Sequence, residues 1–533
     1  MSEHVGSLSI VLHAHLPFVR HPEYDYFLEE DWLFEAACET YIPLINMMDG
    51  LAADGVPFRL TMSLTPTLLS MFCDSLLQNR LRRHIVERID LSEREIDRTK
   101  GQPAYNALAQ MYFQHFQKCL EVFDRSGGNL ANAFRVHLDG GGLEVITCGA
   151  THGFFPLMAH QPETVRAQIQ VAANHHEEVL GRRPAGIWLP ECGYYPGHEQ
   201  FLAEAGIKFF FIEAHGVLFG SPRPKFGTFA PVLCPNAPVA AFGRDVESSK
   251  QVWSAAEGYP GDFAYREFYR DIGYDLDYAY VRPYLGPLGE RKHLGLKYHR
   301  ITGPSETTDL GAKEPYDPAL ARERAAEHAA NFLFNREQQM RYAAQVLNHK
   351  PLVVSPYDAE LFGHWWWEGP MFLDMVFRKA HYDQTAVKVT TPSEYLADNP
   401  LLQKVQPELS SWGYRGFAEF WLNETNDWIY RHLHQAGERM VHLARRFADP
   451  TEVERRALNQ CARELLLGQA SDWAFILRTG TMVEYARKRT SDHLARFERL
   501  FYGLEHGSLD IPFLEECEWR DTIFPNIDYR VYR

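Results

Sequence analysis

No Cys-x-x-Cys pair occurs in this chain. Its eight cysteines stand at 38, 73, 119, 148, 192, 234, 461 and 517, without the short-spaced Cys/His pattern that holds structural zinc. Scattered, reduced thiols of a cytoplasmic protein are the expectation. Positive charge is also short: 54 Lys and Arg face 70 Asp and Glu, a formal net charge of −16. Such a surface repels a phosphate backbone, so nucleic acid is not an expected partner, whereas a neutral polymer is indifferent to the field. No apolar run approaches the roughly 20 residues of a membrane-spanning helix. The opening MSEHVGSLSIVLHAH lacks a basic stretch leading into a long apolar one, so neither a signal peptide nor a membrane partner is expected. No repeat and no low-complexity tract interrupts the sequence.

Aromatics are plentiful, 13% of the chain with 11 Trp and 26 Tyr. Composition alone assigns them to a large core; their positions carry more information. Short apolar runs read as strands at 7–13, 58–63, 143–149, 185–190, 208–214, 239–243 and 351–358. Helical spacing separates several of them, as in PETVRAQIQVAANHHEEVLG and HEQFLAEAG. Strands alternating with helices predict a parallel sheet with crossover helices, and over this length an α/β barrel. Long amphipathic stretches with charged faces fill about 70–135 and read as a helical insertion. The Gly-, Pro- and Tyr-rich span 257–318 has little periodicity and reads as a functional loop region. From about 418 onward the pattern is helical again, predicting a C-terminal helical domain.

Barrels of this kind present their chemistry at the C-terminal ends of the strands. Two acids stand there: Glu191 in IWLPECGY and Asp358 in VVSPYDAELFGHWWWEGP. One acid at a strand end is as readily a helix cap. Two, each set among prolines and aromatics, fit glycosidic bond cleavage, in which one carboxyl protonates the leaving oxygen and the other attacks the anomeric carbon. Such an acid needs a raised pKa, which apolar neighbours supply, and the WWW run at 365–367 is a candidate for those surroundings. His13 and His15 end the first strand as HAH, both rings on one face. A metal pair, hydrogen-bond donors and core histidines are all open readings; hydrogen bonding is favoured because no spacing rule supplies a further metal ligand. His152, in TCGATHGFFP, fits the same role. Trp32, Trp412 and Trp421 are candidates for stacking on sugar rings, with core packing as the alternative for each.

Five segments together resemble glycoside hydrolase family 57: HAHLP (13–17), GGLEVITCGATHGFFP (141–156), GIWLPECGY (186–194), SPYDAELFGHWWWEGP (355–370) and SSWGYRGFAEFWLNETNDWIYRH (410–432). Within it the chain looks most like the glycogen branching subgroup, which the closing FPNIDYR also resembles. The resemblance implies an incomplete (β/α)7 barrel over 1–70 and 136–400, a helical insertion over 71–135 and an all-helical C-terminal domain over 401–533. It implies a retaining mechanism on α-glucan (amylose, glycogen) with no cofactor and no metal. Glu191 would be the nucleophile and Asp358 the general acid/base. His13, His15, His152, Trp32, Trp412, Trp421 and Tyr274 would contact substrate. The expected reaction is formation of an α-1,6 branch, with α-amylase-like hydrolysis as the alternative. One departure bears on that choice. Branching members carry a tyrosine in a mobile loop over the site, and residues 216–250 contain none. Such a loop excludes water from the intermediate, and without it water competes.

Overall fold

The computed structural model describes residues 4–254, 258–304 and 308–533. Among the described residues nine strands form: β1 Gly6–Ala14, β2 Leu60–Leu64, β3 Leu143–Ile146, β4 Gly186–Trp188, β5 Phe209–Ile212, β6 Val232–Leu233, β7 Ala240–Gly243, β8 Leu352–Asp358 and β9 Val387–Val389. β1, β2 and β8 are buried almost throughout, which is why they read as uninterrupted apolar runs. Parallel pairing runs β3-β2-β1-β8 in one sheet and β4-β5-β7 in a second.

Two seams join the sheets into an incomplete barrel of seven parallel strands. At the first, Thr147 N–H donates to Gly186 O at 3.1 Å and Trp188 N–H to Thr147 O at 2.8 Å, linking β3 to β4. At the second, Asp245 N–H donates to Val354 O at 2.9 Å, linking the end of β7 to β8. β6 is an antiparallel appendage of β7, and β9 pairs with Gly6–Leu8 of β1. All seven barrel strands therefore end on one side, where the segments carrying His15, His152, Glu191 and Asp358 gather.

Between β2 and β3 the chain forms helices Pro66–Cys73, Ser75–Arg98, Pro103–Arg125 and Leu130–Asp139. Asp74 caps the second of these, its carboxylate accepting from Leu77 N–H at 3.0 Å. The irregular span that follows β7 is tied down by buried Asp271, which accepts N–H bonds from Gly273, Leu294 and Gly295 at 2.8–2.9 Å. The 30-residue helix Pro318–Leu347 then returns the chain to β8.

Residues 403–412 run against the barrel wall before the C-terminal helices begin. Leu233 N–H donates to Gln403 O, Ser221 pairs with Gln406, and Tyr194 pairs with Ser410. The helices Trp428–Arg446, Glu452–Gly468, Ser471–Thr479, Val483–His506 and Ile511–Arg520 follow. Much of the aromatic content is core: Trp188, Trp366, Trp421 and Trp473 are fully buried.

Candidate active site

Glu191 sits in the tight turn Pro190–Cys192 directly after β4. Its backbone is left-handed, φ 59°, as is that of Cys192, φ 50°. Neither residue is a glycine, so the turn is strained and must be held by its surroundings. Trp412 does part of this, donating its backbone N–H to Glu191 O at 2.9 Å and its indole N–H to Oε2 at 2.6 Å. Ser471 Oγ donates to the other carboxylate oxygen at 3.2 Å. Burial dominates the electrostatics and lifts the Glu191 pKa to about 7; the Trp412 and Ser471 bonds and the charge of His15 oppose that rise, while the Asp472 charge adds to it.

Asp358 ends β8 and stands opposite His13 in the β1–β8 register. Burial, the Glu360 carboxylate and the Glu191 carboxylate hold its pKa well above the ordinary range, against the pull of Arg244. Glu360, two residues on, is anchored: it accepts Tyr41 O–H at 2.5 Å and His15 backbone N–H at 3.1 Å. Burial raises its pKa to about 7. Arg244, just past β7, donates to Glu213 Oε2 at 3.0 Å and lies 5.9 Å from the Trp412 ring centre.

Histidines span the floor between the two carboxylates. His13 Nε2 and His152 Nε2 are 3.0 Å apart, and the His13 ring stacks on Trp188 at 4.7 Å. His152, also left-handed at φ 61°, places Nδ1 2.8 Å from Ser471 Oγ and 3.7 Å from Glu191 Oε1. His15 stacks face to face on His152 at 3.8 Å, and its Nε2 lies 3.0 Å from Asp472 Oδ1. Burial holds His13 and His152 well below the usual histidine range. Burial also acts on His15, yet the charge and hydrogen bond of Asp472, with Glu191 and Glu360, raise its pKa overall.

His15, His152 and Asp472 bring one ligand atom each within 4.8 Å of one another. The two imidazoles are nearly parallel, 11° apart. Lone pairs lie in the ring plane, so stacked parallel rings do not converge on an ion about 2.0–2.1 Å from each nitrogen. Hydrogen bonding is the better description of the cluster.

Of the residues singled out from sequence, Glu191, Asp358, His13, His15, His152 and Trp412 are brought together. Trp412 acts there as a hydrogen-bond donor to Glu191, beyond the stacking surface expected of it. Trp32 packs edge-on against Tyr485 at 5.8 Å. Tyr274 is half exposed on the short helix Ile272–Asp275; it donates to Arg291 O at 3.2 Å and meets the His293 ring at 5.3 Å, away from the two carboxylates' partners. Trp421 is 2% exposed, its ring stacked on Phe154 at 4.9 Å, so its face is turned to protein in this arrangement. Ser471, Asp472, Glu360 and Arg244 are the site residues that sequence reading missed. Arg244 follows a strand and Glu360 sits beside Asp358, so the strand-end rule reaches both. Nothing in SDWAFILRT marks Ser471 or Asp472.

Residues 9–408 match the family described as Glycosyl hydrolase family 57, and residues 432–532 match 1,4-alpha-glucan branching enzyme, C-terminal. Among solved structures, the alpha-amylase AmyC from Thermotoga maritima is 45% identical with a TM-score of 0.93, covering 99% of each chain. TK1436, a branching enzyme from Thermococcus kodakaraensis, is 33% identical with a TM-score of 0.88, over 99% of this chain and 96% of that one. A branching enzyme from Pyrococcus horikoshii is 34% identical with a TM-score of 0.87, over 99% and 97%. On the match across most of its length, this chain belongs to glycosyl hydrolase family 57.

Proposed function

We propose that the protein is a 1,4-α-glucan branching enzyme. The observation that carries this reading is Ser471 Oγ, which reaches Glu191 Oε1 at 3.2 Å from within the segment matching the branching-enzyme C-terminal family. The helical domain thus completes the catalytic pocket.

In this reading Glu191 attacks the anomeric carbon of an α-1,4 bond while Asp358 protonates the departing oxygen. The electrostatics suit that division. Burial and two neighbouring carboxylates raise the Asp358 pKa and so favour its protonated form, whereas hydrogen bonds to Trp412 and Ser471 favour the ionised form of Glu191. The Glu191 charge further disfavours ionisation of Asp358. The glycosyl-enzyme ester is then attacked by the 6-hydroxyl of a second glucan, whose proton passes to Asp358. His13, His15, His152 and Trp412 line the substrate's path, with Trp32 and Tyr274 further out. The substrates are neutral α-glucans such as amylose and glycogen, and the setting is glycogen synthesis in the cytoplasm. Among the described residues no helix is long and apolar enough to cross a membrane.

Hydrolysis is the second reading, favoured by two observations. AmyC, named an alpha-amylase, is 45% identical to this chain. The tyrosine-free stretch 216–250 is also pinned to the barrel: Ser221 pairs with Gln406, Leu352 N–H donates to Phe229 O, and β6 pairs with β7. Incubation with linear amylose separates the readings. Branching predicts α-1,6 linkages, seen by proton NMR and by release of short chains with a debranching enzyme, without a matching rise in reducing ends. Reducing ends without new linkages would establish the hydrolase and sink the branching reading.

A further inference from the structure

Away from the carboxylate pocket, a cavity of about 390 Å³ opens where the loop after β1 meets helices Val483–His506 and Ile511–Arg520. Six cationic side chains line it: Arg20, Lys488, Arg489, Arg496, Arg499 and Arg520. Five have carboxylate partners. Arg20 pairs with Asp74 at 2.8 Å, Lys488 with Asp492 at 2.7 Å, Arg496 with Asp521 at 2.7 Å, Arg520 with Glu23 at 2.5 Å, and Arg499 with Asp510.

Arg489 is different. It is 7% exposed, and no carboxylate lies within ion-pair distance of it among the described residues. Its Nη2 donates to the Phe18 carbonyl at 3.1 Å, while Nε is buried without a partner. The guanidinium rests 5.5 Å from the ring centre of Trp473 and 5.9 Å from that of Tyr485. A guanidinium cannot relieve its burial by losing a proton, and Arg489 meets its nearest acids, Glu29, Glu464 and Asp521, only through space and not in a direct ion pair. A second group on the same wall registers the field. His21, with Nε2 2.9 Å from Tyr485 Oη, has its pKa pushed down to about 2 by burial and by the charges of Arg489, Arg520 and Arg80, with Glu23 3.8 Å from its other ring nitrogen. The remaining acids on the wall, Asp492, Glu516 and Asp521, are each already paired with a lysine or arginine.

The rest of the wall is aromatic. Phe27 stacks on His21 at 3.6 Å, Tyr485 and Phe513 flank the arginines, and Tyr24 stands half exposed. A cavity lined by six cationic side chains, one of them a buried arginine with a free Nε and no direct ion pair, and by aromatic sides suits an anion carrying an organic body, since Arg matches phosphate geometry and rings accept a sugar or base face. We propose that this cavity is a second ligand site, taking a small organic phosphate monoester whose phosphate sits on Arg489 and whose sugar or base lies against Phe27 and Tyr485. Nothing in the glucan chemistry uses these residues.

The test is isothermal titration of the full chain at about 150 mM NaCl, where loose surface attraction is screened, with glucose 1-phosphate, AMP and inorganic phosphate as separate probes. Saturable one-to-one binding of glucose 1-phosphate or of AMP is expected, weakened roughly tenfold or more by Arg489→Met. Which of the two binds distinguishes a sugar phosphate from a nucleotide. Because Arg489 also packs on Trp473, the double variant Lys488→Gln/Arg499→Gln is the companion; both side chains are largely exposed. It is expected to melt like the wild type, keep its activity on amylose, and bind the same ester several-fold more weakly. No saturable binding of any probe at millimolar concentration overturns the proposal. So does binding unchanged in both variants. Inorganic phosphate binding as tightly as either ester overturns the part assigned to the organic body.

Discussion

Trp412 holds Glu191 by main chain and side chain at once: its backbone N–H bonds the Glu191 carbonyl at 2.9 Å and its indole N–H bonds Oε2 at 2.6 Å. The first contact supports a strained left-handed turn, and the second favours the ionised carboxylate that the proposed mechanism requires. Trp412→Phe keeps an aromatic ring and removes the indole donor. A hydrogen bond to a charged group contributes about 1.5–3 kcal/mol, so kcat/KM on amylose is expected to fall about 10- to 100-fold. The sign of the pH effect follows from the bond. Without it the Glu191 pKa rises above about 7, and the acid limb of the kcat/KM profile moves to higher pH. An unshifted acid limb would show that the indole acts only as a stacking surface.

Glu360 lies two residues beyond Asp358, and its charge is, after burial, the foremost cause of the high Asp358 pKa. Glu360→Gln removes that charge and leaves an amide oxygen able to accept from Tyr41 and His15. Asp358 then ionises at lower pH, and the alkaline limb of kcat/KM moves down. A pH–rate profile of the pure variant checks this. An unchanged alkaline limb would remove Glu360 from the control of Asp358.

Strand ends were legible in the sequence because strands buried on both faces leave unbroken apolar runs, and Glu191, Asp358, His13 and His15 stand at such ends. β6 escaped because it has only two residues, and β9 because Lys388 breaks its apolar run between Val387 and Val389. The helix Pro318–Leu347 buries a stripe built largely of alanine, Ala321, Ala325 and Ala329, which hydrophobic periodicity registers poorly. Ser471 and Asp472 escaped for a different reason. Ser471 is 280 positions from Glu191, and Asp472 is 457 from His15. Only the docking of the C-terminal helices on the barrel makes them neighbours, and no local pattern encodes that. The left-handed turn at Glu191 was equally hidden, since no glycine marks it and Trp412, which helps to hold it, lies 221 positions away.

Trp421 separates packing from recognition. Its indole is 2% exposed and stacked on Phe154. Removing a large buried aromatic costs about 3–5 kcal/mol. Trp421→Ala is therefore expected to lower the unfolding free energy by that amount, read as a lower denaturant midpoint, with the substrate affinity of the remaining folded enzyme little changed. Weaker glucan binding at undiminished stability would restore Trp421 to the sugar-contacting set.

The helical domain meets the barrel partly through charge, and that part has a pH signature. Burial lowers the His15 pKa, but the Asp472 charge and hydrogen bond, with Glu191 and Glu360, raise it above its ordinary value of 6.5. A folded-state pKa above the unfolded one contributes stability that is fully present below the unfolded pKa and is lost as pH rises through the folded one. Asp472→Asn removes the largest raising influence. The variant should lose more stability relative to wild type at about pH 5.5 than at alkaline pH, above the folded-state pKa of His15. Denaturant titrations of the two proteins at each pH measure the difference directly. An equal loss at both would mean that Asp472 holds the domains together through a neutral hydrogen bond, and that the imidazolium of His15 contributes nothing to the docking.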